Sequence, residues 1–225
     1  MKTLASVLLL FITINCFSQN PLEKKVNDFT TVKVFDLIHI SLIKSEENKV
    51  MITGDDVQDV EVISKDGILK VRMELDKIFN GTKTFVAVYY KDLKVIDGNE
   101  GAKIVGAELI EQDEIELRAQ EGAILKIGLD VDKVNIRAVS GGIIETKGRA
   151  NSQDITLNTG GIYEGRDFET KNTSVKIRAA GEAEVKASKA VDARITAGGD
   201  IYIYGNPETV NEKTTFGGRI ERRNN

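Results

Sequence analysis

The sequence of 225 residues has few of the residue types on which metal centres and disulfide scaffolds depend. It contains one Cys, one His, two Pro and no Trp. One Cys excludes a disulfide framework and a thiolate zinc centre, and one His excludes a site that needs two imidazoles. With 31 Lys plus Arg against 35 Asp plus Glu, the net charge is −4, unlike the basic balance typical of nucleic-acid binding. We therefore predict no metal, no cofactor and no nucleic-acid partner.

The first twenty residues, MKTLASVLLLFITINCFSQN, are typical of a secretory signal peptide. A basic residue, Lys2, precedes an apolar run that ends at Ile14, and a short polar stretch follows. We predict a signal peptide over residues 1–18, with cleavage after Ser18. A lipoprotein signal acylated at Cys16 is the alternative, although Asn15 is a poor fit to the small residue which such a site prefers.

The location and membrane topology follow from this leader. Its apolar run is shorter than the roughly 20 residues that span a bilayer, and no other stretch approaches that length. The sequence therefore predicts an exported mature chain, 19–225, without a transmembrane segment. Its location would be the periplasm, the outer-membrane surface or the extracellular space.

Glycine is abundant, and its positions repeat. From residue 101 onward a glycine recurs every 18–21 residues, at Gly101, Gly122, Gly142, Gly161, Gly181, Gly199 and Gly218. Between the glycines, apolar and polar residues alternate with the period of a β-strand. A repeat near twenty residues with strand patterning is typical of a β-solenoid, in which each coil covers the next. The glycines would form the corners.

Aligned on this pattern, the units predict columns of inward side chains. The predicted columns are Ile115, Val134, Ile155, Val175 and Ala193; Leu117, Ile136, Leu157, Ile177 and Ile195; Ala119, Ala138, Thr159, Ala179 and Ala197; and Ile124, Ile144, Tyr163, Ala183 and Ile201. Because parallel crossovers are right-handed, we predict an all-β fold: a right-handed, single-stranded parallel β-helix with a period of about 19–20 residues. Residues 98–225 would be the regular solenoid with a C-terminal cap, and residues 19–97 irregular coils or a capping sheet.

Three segments carry a family resemblance. FTTVKVFDLIHISLIKSEENKVMITGDD, VEVISKDGILKVRM and VYYKDLKVIDGNEGAKI, with the corners SGGI, TGGI and AGGD, resemble the family named putative auto-transporter adhesin, head GIN domain. The resemblance implies an exported right-handed β-solenoid with an adhesin role. It brings no catalytic or binding residues with it.

One outward column could hold catalytic acids. Glu145, Glu164 and Glu184 each lie three residues after a corner, so they would stack about 5 Å apart, a separation that two-carboxylate chemistry uses. The cations Lys147, Arg166 and Lys186 follow two residues later, and a solvated salt-bridge ladder explains the pattern as well. We expect the ladder, and therefore no catalytic residues.

Two further groups are candidates for surface binding. Arg118, Arg137 and Arg178 would form a basic column suited to acidic glycans or lipid headgroups, with Asn158 and Thr196 in its gaps. Tyr202 and Tyr204 would point outward near the C-terminal end and could stack on sugar rings or on a partner.

A calcium loop is the last candidate site. Asp97, Asn99 and Glu108 match three positions of a calcium-loop template, but Gly101 and Ala102 break it and no helices flank it. We expect no metal there.

The sequence as a whole favours an exported, non-catalytic β-solenoid that acts like an adhesin or another surface-binding protein. Its ligand is not named by the pattern; a glycan or an envelope protein fits. One alternative is a carbohydrate-active β-helix enzyme that uses the glutamate column. Another is a periplasmic structural or protein-partner module.

Overall fold

The computed structural model describes residues 21–224. The expected signal peptide, its cleavage after Ser18 and the alternative acylation at Cys16 lie outside the described residues. Within 21–224, no helix is long and apolar enough to cross a bilayer.

The described chain is almost all strand, and its strands form one hydrogen-bonded sheet. The strands are β1 (Leu22–Lys25), β2 (Thr31–Val34), β3 (His39–Lys44), β4 (Lys49–Gly54), β5 (Val60–Lys65), β6 (Ile68–Met73), β7 (Thr84–Tyr90), β8 (Val95–Gly98), β9 (Lys103–Ala119), β10 (Ile124–Val139), β11 (Ile143–Asn158), β12 (Gly161–Ile177), β13 (Gly181–Ala197), β14 (Asp200–Tyr204), β15 (Thr209–Phe216) and β16 (Arg219–Arg222). Three short 3₁₀ turns, at Val57–Asp59, Leu75–Lys77 and Gly81–Lys83, interrupt the N-terminal strands.

The five long strands β9 to β13 are the regular part of the solenoid. Each has 16 or 17 residues and pairs in parallel with the next. Each strand bends around the solenoid, so its first half lies on one face and its second half on another. The stacked coils form a β-solenoid of about seven turns, which confirms the predicted fold.

A tight turn closes each coil, and glycine serves there in two ways. In one turn Glu121 and Gly122 both have positive φ, 54° and 74°, and the Ala123 N–H donates to Gln120 O at 3.1 Å. This is a type I′ turn, which favours glycine at its second central position. The position after the turn is crowded instead: a Cβ on Gly161 would lie 2.1 Å from the backbone oxygen of Ala138. The predicted glycine positions are therefore turn positions.

The inward columns are buried, but their register differs from the predicted one. Between β10 and β11, Val134 pairs with Gln153 and Ile136 with Ile155, so the alignment made from the pattern is wrong by two residues at this step. A slip of two residues preserves the inward and outward alternation, so the pattern alone cannot detect it. Thr159 and Ala179 are therefore exposed, not inward. In the fourth column the residue level with Ile144 is Leu125, so the predicted Ile124 is wrong by one residue. The observed columns are Leu117, Ile136, Ile155, Val175 and Ala193; Ala119, Ala138, Leu157, Ile177 and Ile195; and Leu125, Ile144, Tyr163, Ala183 and Ile201.

The N-terminal coils do not stack in chain order. Strand β2 pairs in parallel with both β6 and β8, and β3 pairs in parallel with both β7 and β9. The coil made by β2 and β3 therefore lies between two coils that come later in the chain. Residues 21–97 thus include solenoid coils, and antiparallel strands cover their outer end: β1 on β4, β4 on β7, and β5 on β6. The sheet continues across residue 98, because β8 pairs with β9.

The opposite end of the solenoid finishes with strands β15 and β16, which are rich in charged residues. Strand β15 pairs with β13, and β16 pairs with β14. Glu212 pairs with the inward Ala193, so a charge takes an inward position, and Phe216 at the end of β15 is 75% exposed. An inward charge on an edge strand hinders the addition of further strands. The stretch after Pro207 therefore ends the solenoid with a charged final coil.

Candidate binding surface

One column of outward residues, which passes through the second halves of the long strands β9 to β13, is strongly basic. Seven of its nine residues are Lys or Arg, and it runs across nine sheet layers, about 38 Å at 4.8 Å per layer. We call it the basic column; its members are, in order, Lys70, Lys33, Asp97, Arg118, Arg137, Thr156, Lys176, Arg194 and Lys213.

This column corrects the predicted one. Arg118 and Arg137 are paired neighbours, as the sequence predicted. Arg178 is not in their column, because Lys176 is the residue level with Thr156. The same two-residue slip that changed the inward columns changes this one. It brings in Lys176, Arg194 and Lys213, which the sequence reasoning missed although they follow one another at intervals of 18 and 19 residues, close to the repeat period.

The charges in the basic column differ in how they are compensated. Arg118 donates to Glu116, two residues earlier in the same strand, at 2.7 Å, and Arg194 does the same with Asp192. A hydrogen bond to the neighbouring carboxylate raises the pKa of each guanidinium. Both arginines thus belong to local ion pairs.

Three other cations of the column, Arg137, Lys176 and Lys213, have neutral residues in the place of these carboxylates. Asn135, Ser174 and Asn211 occupy the place that Glu116 and Asp192 hold elsewhere. Arg137, Lys176 and Lys213 are exposed, and none of them makes an ion pair with another described residue. Three cations on one flat face are therefore available to an external anion.

The third member of the basic column, Asp97, is a buried carboxylate. Asp97 is 5% exposed, lies 3.5 Å from the Lys33 amine and accepts a hydrogen bond from Asn99 at 3.2 Å. Glu108, the third member of the calcium template, is exposed in a different strand. In the part of the chain that the structure describes, no group of three or more acidic, His or Cys side chains could hold a metal ion.

Tyr202 and Tyr204 are buried, so the prediction that they form an exposed platform is wrong. They are 7% and 3% exposed because arginines cover their rings. The Arg223 and Arg219 guanidinium groups lie 3.7 and 5.5 Å from the Tyr202 ring centre. Arg166 lies 4.9 Å from the Tyr204 ring centre, and the Tyr204 hydroxyl donates to a carboxylate oxygen of Glu184, on the neighbouring strand β13, at 3.2 Å. The rings anchor the final coil and present no free face to a sugar.

The three glutamates stack in register, as predicted, but their partners are not the expected ones. Glu145 pairs with Glu164, and Glu164 with Glu184. Glu145 forms its ion pair with Lys126, one coil earlier in the same column, and not with Lys147. Lys186 forms an ion pair with Glu169 at 3.0 Å, and not with Glu184.

The glutamates also lie apart from the two large grooves of the described chain, of about 720 and 700 Å³. In the larger groove Arg149 donates two hydrogen bonds to Asp130, at 3.0 and 2.6 Å, and Glu111 and Asp113 also line this groove. The glutamate column therefore lines neither of these two grooves, and Asp130 is held in an ion pair.

A second acidic feature lies at the turns. The buried Asp36 carboxylate accepts hydrogen bonds from the N–H groups of Met73 at 3.0 Å and Phe79 at 3.2 Å. The Glu100 carboxyl lies beside it, with Glu121 on the next turn. Partial burial, Asp36 and Glu121 together raise the pKa of Glu100 above its ordinary value of 4.5.

This arrangement predicts how stability depends on pH. Because the folded-state pKa of Glu100 is raised, the folded chain binds this proton more tightly than the unfolded chain, and its stability falls as the pH rises from about 4.5 through the raised pKa. Glu100→Gln removes the titration, so at pH 7 it should be more stable than the wild type by about 0.5 kcal/mol, the scale of a like-charge pair. Urea unfolding at pH 7 and pH 4 measures this; the gain should disappear at pH 4, and an equal gain at both would contradict it.

Taken together, the stacked coils and the basic column define an all-β solenoid that carries a row of cations on its outer face. The chain belongs to the family described as putative auto-transporter adhesin, head GIN domain, whose model matches residues 28–207. This confirms the resemblance stated from the sequence.

Solved structures share the fold. A putative adhesin from Bacteroides fragilis superposes with a TM-score of 0.83 at 18% identity, over 90% of this chain and 96% of that one. A putative adhesin from Parabacteroides distasonis gives 0.74 at 21% identity, over 91% and 96%. A putative lipid binding protein from Parabacteroides distasonis gives 0.69 at 18% identity, over 92% and 98%. At these identities the likeness establishes the fold alone. No curated protein matches the chain.

Proposed function

We propose that this protein is an exported, non-catalytic, adhesin-like protein that holds a ligand on the outer face of its solenoid. The observation that carries the proposal is the basic column, in which Arg137, Lys176 and Lys213 are exposed and unpaired among the described residues. Side chains on neighbouring strands of a continuous sheet keep fixed spacings, so such a surface needs little ordering to bind. The family description, an adhesin head domain, supports the same function.

The partner would be a glycan or a protein of the cell envelope. The location would be the periplasm, the outer-membrane surface or the extracellular space, as the leader sequence predicts. The enzymatic alternative has less support, because Glu145 and Glu184 already have partners and their column lies outside the two large grooves.

Binding of the purified protein to a glycan array and to envelope fractions tests this function. We expect saturable binding to at least one of them, and no change in the glycan itself. Degradation of a glycan by the wild type that Glu164→Gln abolishes would support the enzyme instead. Protease treatment of intact cells decides the location: cleavage before the outer membrane is opened supports adhesion, and cleavage only afterwards supports a periplasmic module.

A further inference from the structure

We infer that the basic column binds a single chain of an anionic polysaccharide, laid along the solenoid axis. This inference rests on the proposed function and names the class of its ligand. Its starting point is periodicity: parallel coils place one residue of the column every 4.8 Å or so. A linear polymer with a charge on successive sugar rings has a spacing close to one coil, so it can meet several cations without bending.

The free cations lie in one stretch of the column. Arg137, Lys176 and Lys213 are exposed and unpaired among the described residues, and Thr156 separates the first two without adding an opposing charge. Arg194 lies between Lys176 and Lys213 and pairs with only one carboxylate, Asp192. From Arg137 to Lys213 the stretch spans four intervals, about 19 Å. An anionic chain of this length would meet four cations.

The width of the column selects a narrow ligand. A second column runs parallel to the basic column, two residues earlier in each strand and about 6.7 Å away. It contains Glu116, Asp154 and Asp192. A membrane surface would press anionic headgroups onto these carboxylates. A nucleic-acid duplex, whose major groove alone is about 12 Å wide, would lay phosphates over them. The opposite flank is neutral or basic, with Asn158 and Arg178. One polymer chain fits between the two flanks.

Two other narrow polyanions fit less well. Single-stranded nucleic acid is held by aromatic side chains on which bases stack, and the basic column contains none. An extended acidic peptide repeats its side chains on one side every 6.7 Å or so, which does not match a coil spacing of about 4.8 Å. Tyr202 and Tyr204 are covered and offer no ring on which a sugar could stack, so binding would depend on charge. Charge and spacing therefore favour an anionic polysaccharide.

The test compares a double variant in the column with a matched pair elsewhere. Arg137→Gln/Lys176→Gln removes two free charges, and Lys147→Gln/Lys189→Gln removes two exposed lysines that lie outside the column and leaves the same net charge. Full-length wild type and both variants are titrated with polygalacturonate, which carries carboxylates, and with heparin, which carries sulfates, in 50 and 150 mM salt. Melting curves confirm that all three fold.

For the wild type we expect binding that weakens with salt. The Arg137→Gln/Lys176→Gln variant should lose affinity on the order of tenfold, and the slope of log K against log salt should become shallower by about 1.4, two contacts at roughly 0.7 each. The Lys147→Gln/Lys189→Gln pair should change affinity less than twofold. Preference for polygalacturonate or heparin identifies the carboxylated or the sulfated source.

Several results would overturn the inference. Equal losses in both pairs would mean that net charge alone is responsible. Tighter binding to polyglutamate, poly(dT) or anionic vesicles would reject a polysaccharide. Binding to a neutral glycan or an envelope protein that Arg137→Gln/Lys176→Gln leaves unchanged would reject the inference and retain the proposed function. No binding to any glycan or envelope fraction would reject both.

Discussion

Gly148→Ala is expected to lower the free energy of unfolding by about 3–5 kcal/mol. Gly148 lies inside β11 with φ at 108°, a conformation that L-residues rarely adopt. A Cβ built there would also lie 2.1 Å from the backbone oxygen of Leu129, on the neighbouring coil. Neither strand can move away, because each is hydrogen-bonded on both sides. Urea unfolding followed by far-UV circular dichroism measures the loss.

Two other glycines separate the causes of this effect. At Gly122, φ is 74° but no atom lies within 4 Å of a Cβ, so Gly122→Ala should cost only the backbone strain, about 1–2 kcal/mol. At Gly161 φ is not positive, and a Cβ would lie 2.1 Å from Ala138 O, so Gly161→Ala should show the steric cost, about 1–3 kcal/mol. A loss at Gly148 no larger than that at Gly122 would refute the account.

Tyr163→Phe is expected to destabilise the protein by about 2–4 kcal/mol although it removes a single oxygen. The Tyr163 side chain is fully buried, and its hydroxyl donates to Gln153 Oε1 at 2.8 Å and contacts Thr146 Oγ1 at 2.7 Å. The Gln153 amide donates in turn to Thr173 Oγ1 at 2.8 Å. Burial raises the pKa of Tyr163, so the hydroxyl is a donor at every physiological pH. Without it, two buried polar groups lose a partner.

A double-mutant cycle checks this explanation. Gln153→Leu removes the acceptor that Tyr163→Phe leaves unpaired, so the double variant should lose less stability than the sum of the two single losses, by about 1–2 kcal/mol. Thermal or urea unfolding of the four proteins supplies the values. Strict additivity would mean that the Tyr163–Gln153 hydrogen bond does not couple them.

The network also shows where the sequence reasoning went wrong. Gln153 occupies an inward position between Val134 and Thr173, where the pattern alone favours an apolar residue. The alignment therefore placed Ile155 opposite Val134 and displaced the following coils by two residues. Nothing in the alternation opposes this choice, whereas the hydrogen bonds of Tyr163, Gln153 and Thr173 hold the observed register.

The sequence predicted that a basic column lies on the outer face, but it did not predict which residues belong to that column. The sequence indicated a basic outward column through Arg118 and Arg137, and these residues are neighbours. The remaining members depended on the register, which exchanged Arg178 for Lys176. The tyrosines lie on the outer side of β14, as predicted, but the arginines that cover them come from β12, from β16 and from the residue after β16. Strand patterning contains no information about such cover.

By itself, the sequence determined the β-solenoid, its period, its turns and its family, because these depend on residue alternation and on glycines repeated at near-constant spacing. Only the tertiary structure decided the register between β10 and β11 and the insertion of the β2–β3 coil between later coils. Both are choices between pairings that satisfy the same alternation equally well. Packing and buried hydrogen bonds between distant residues select one of them, and that selection aligns the basic column.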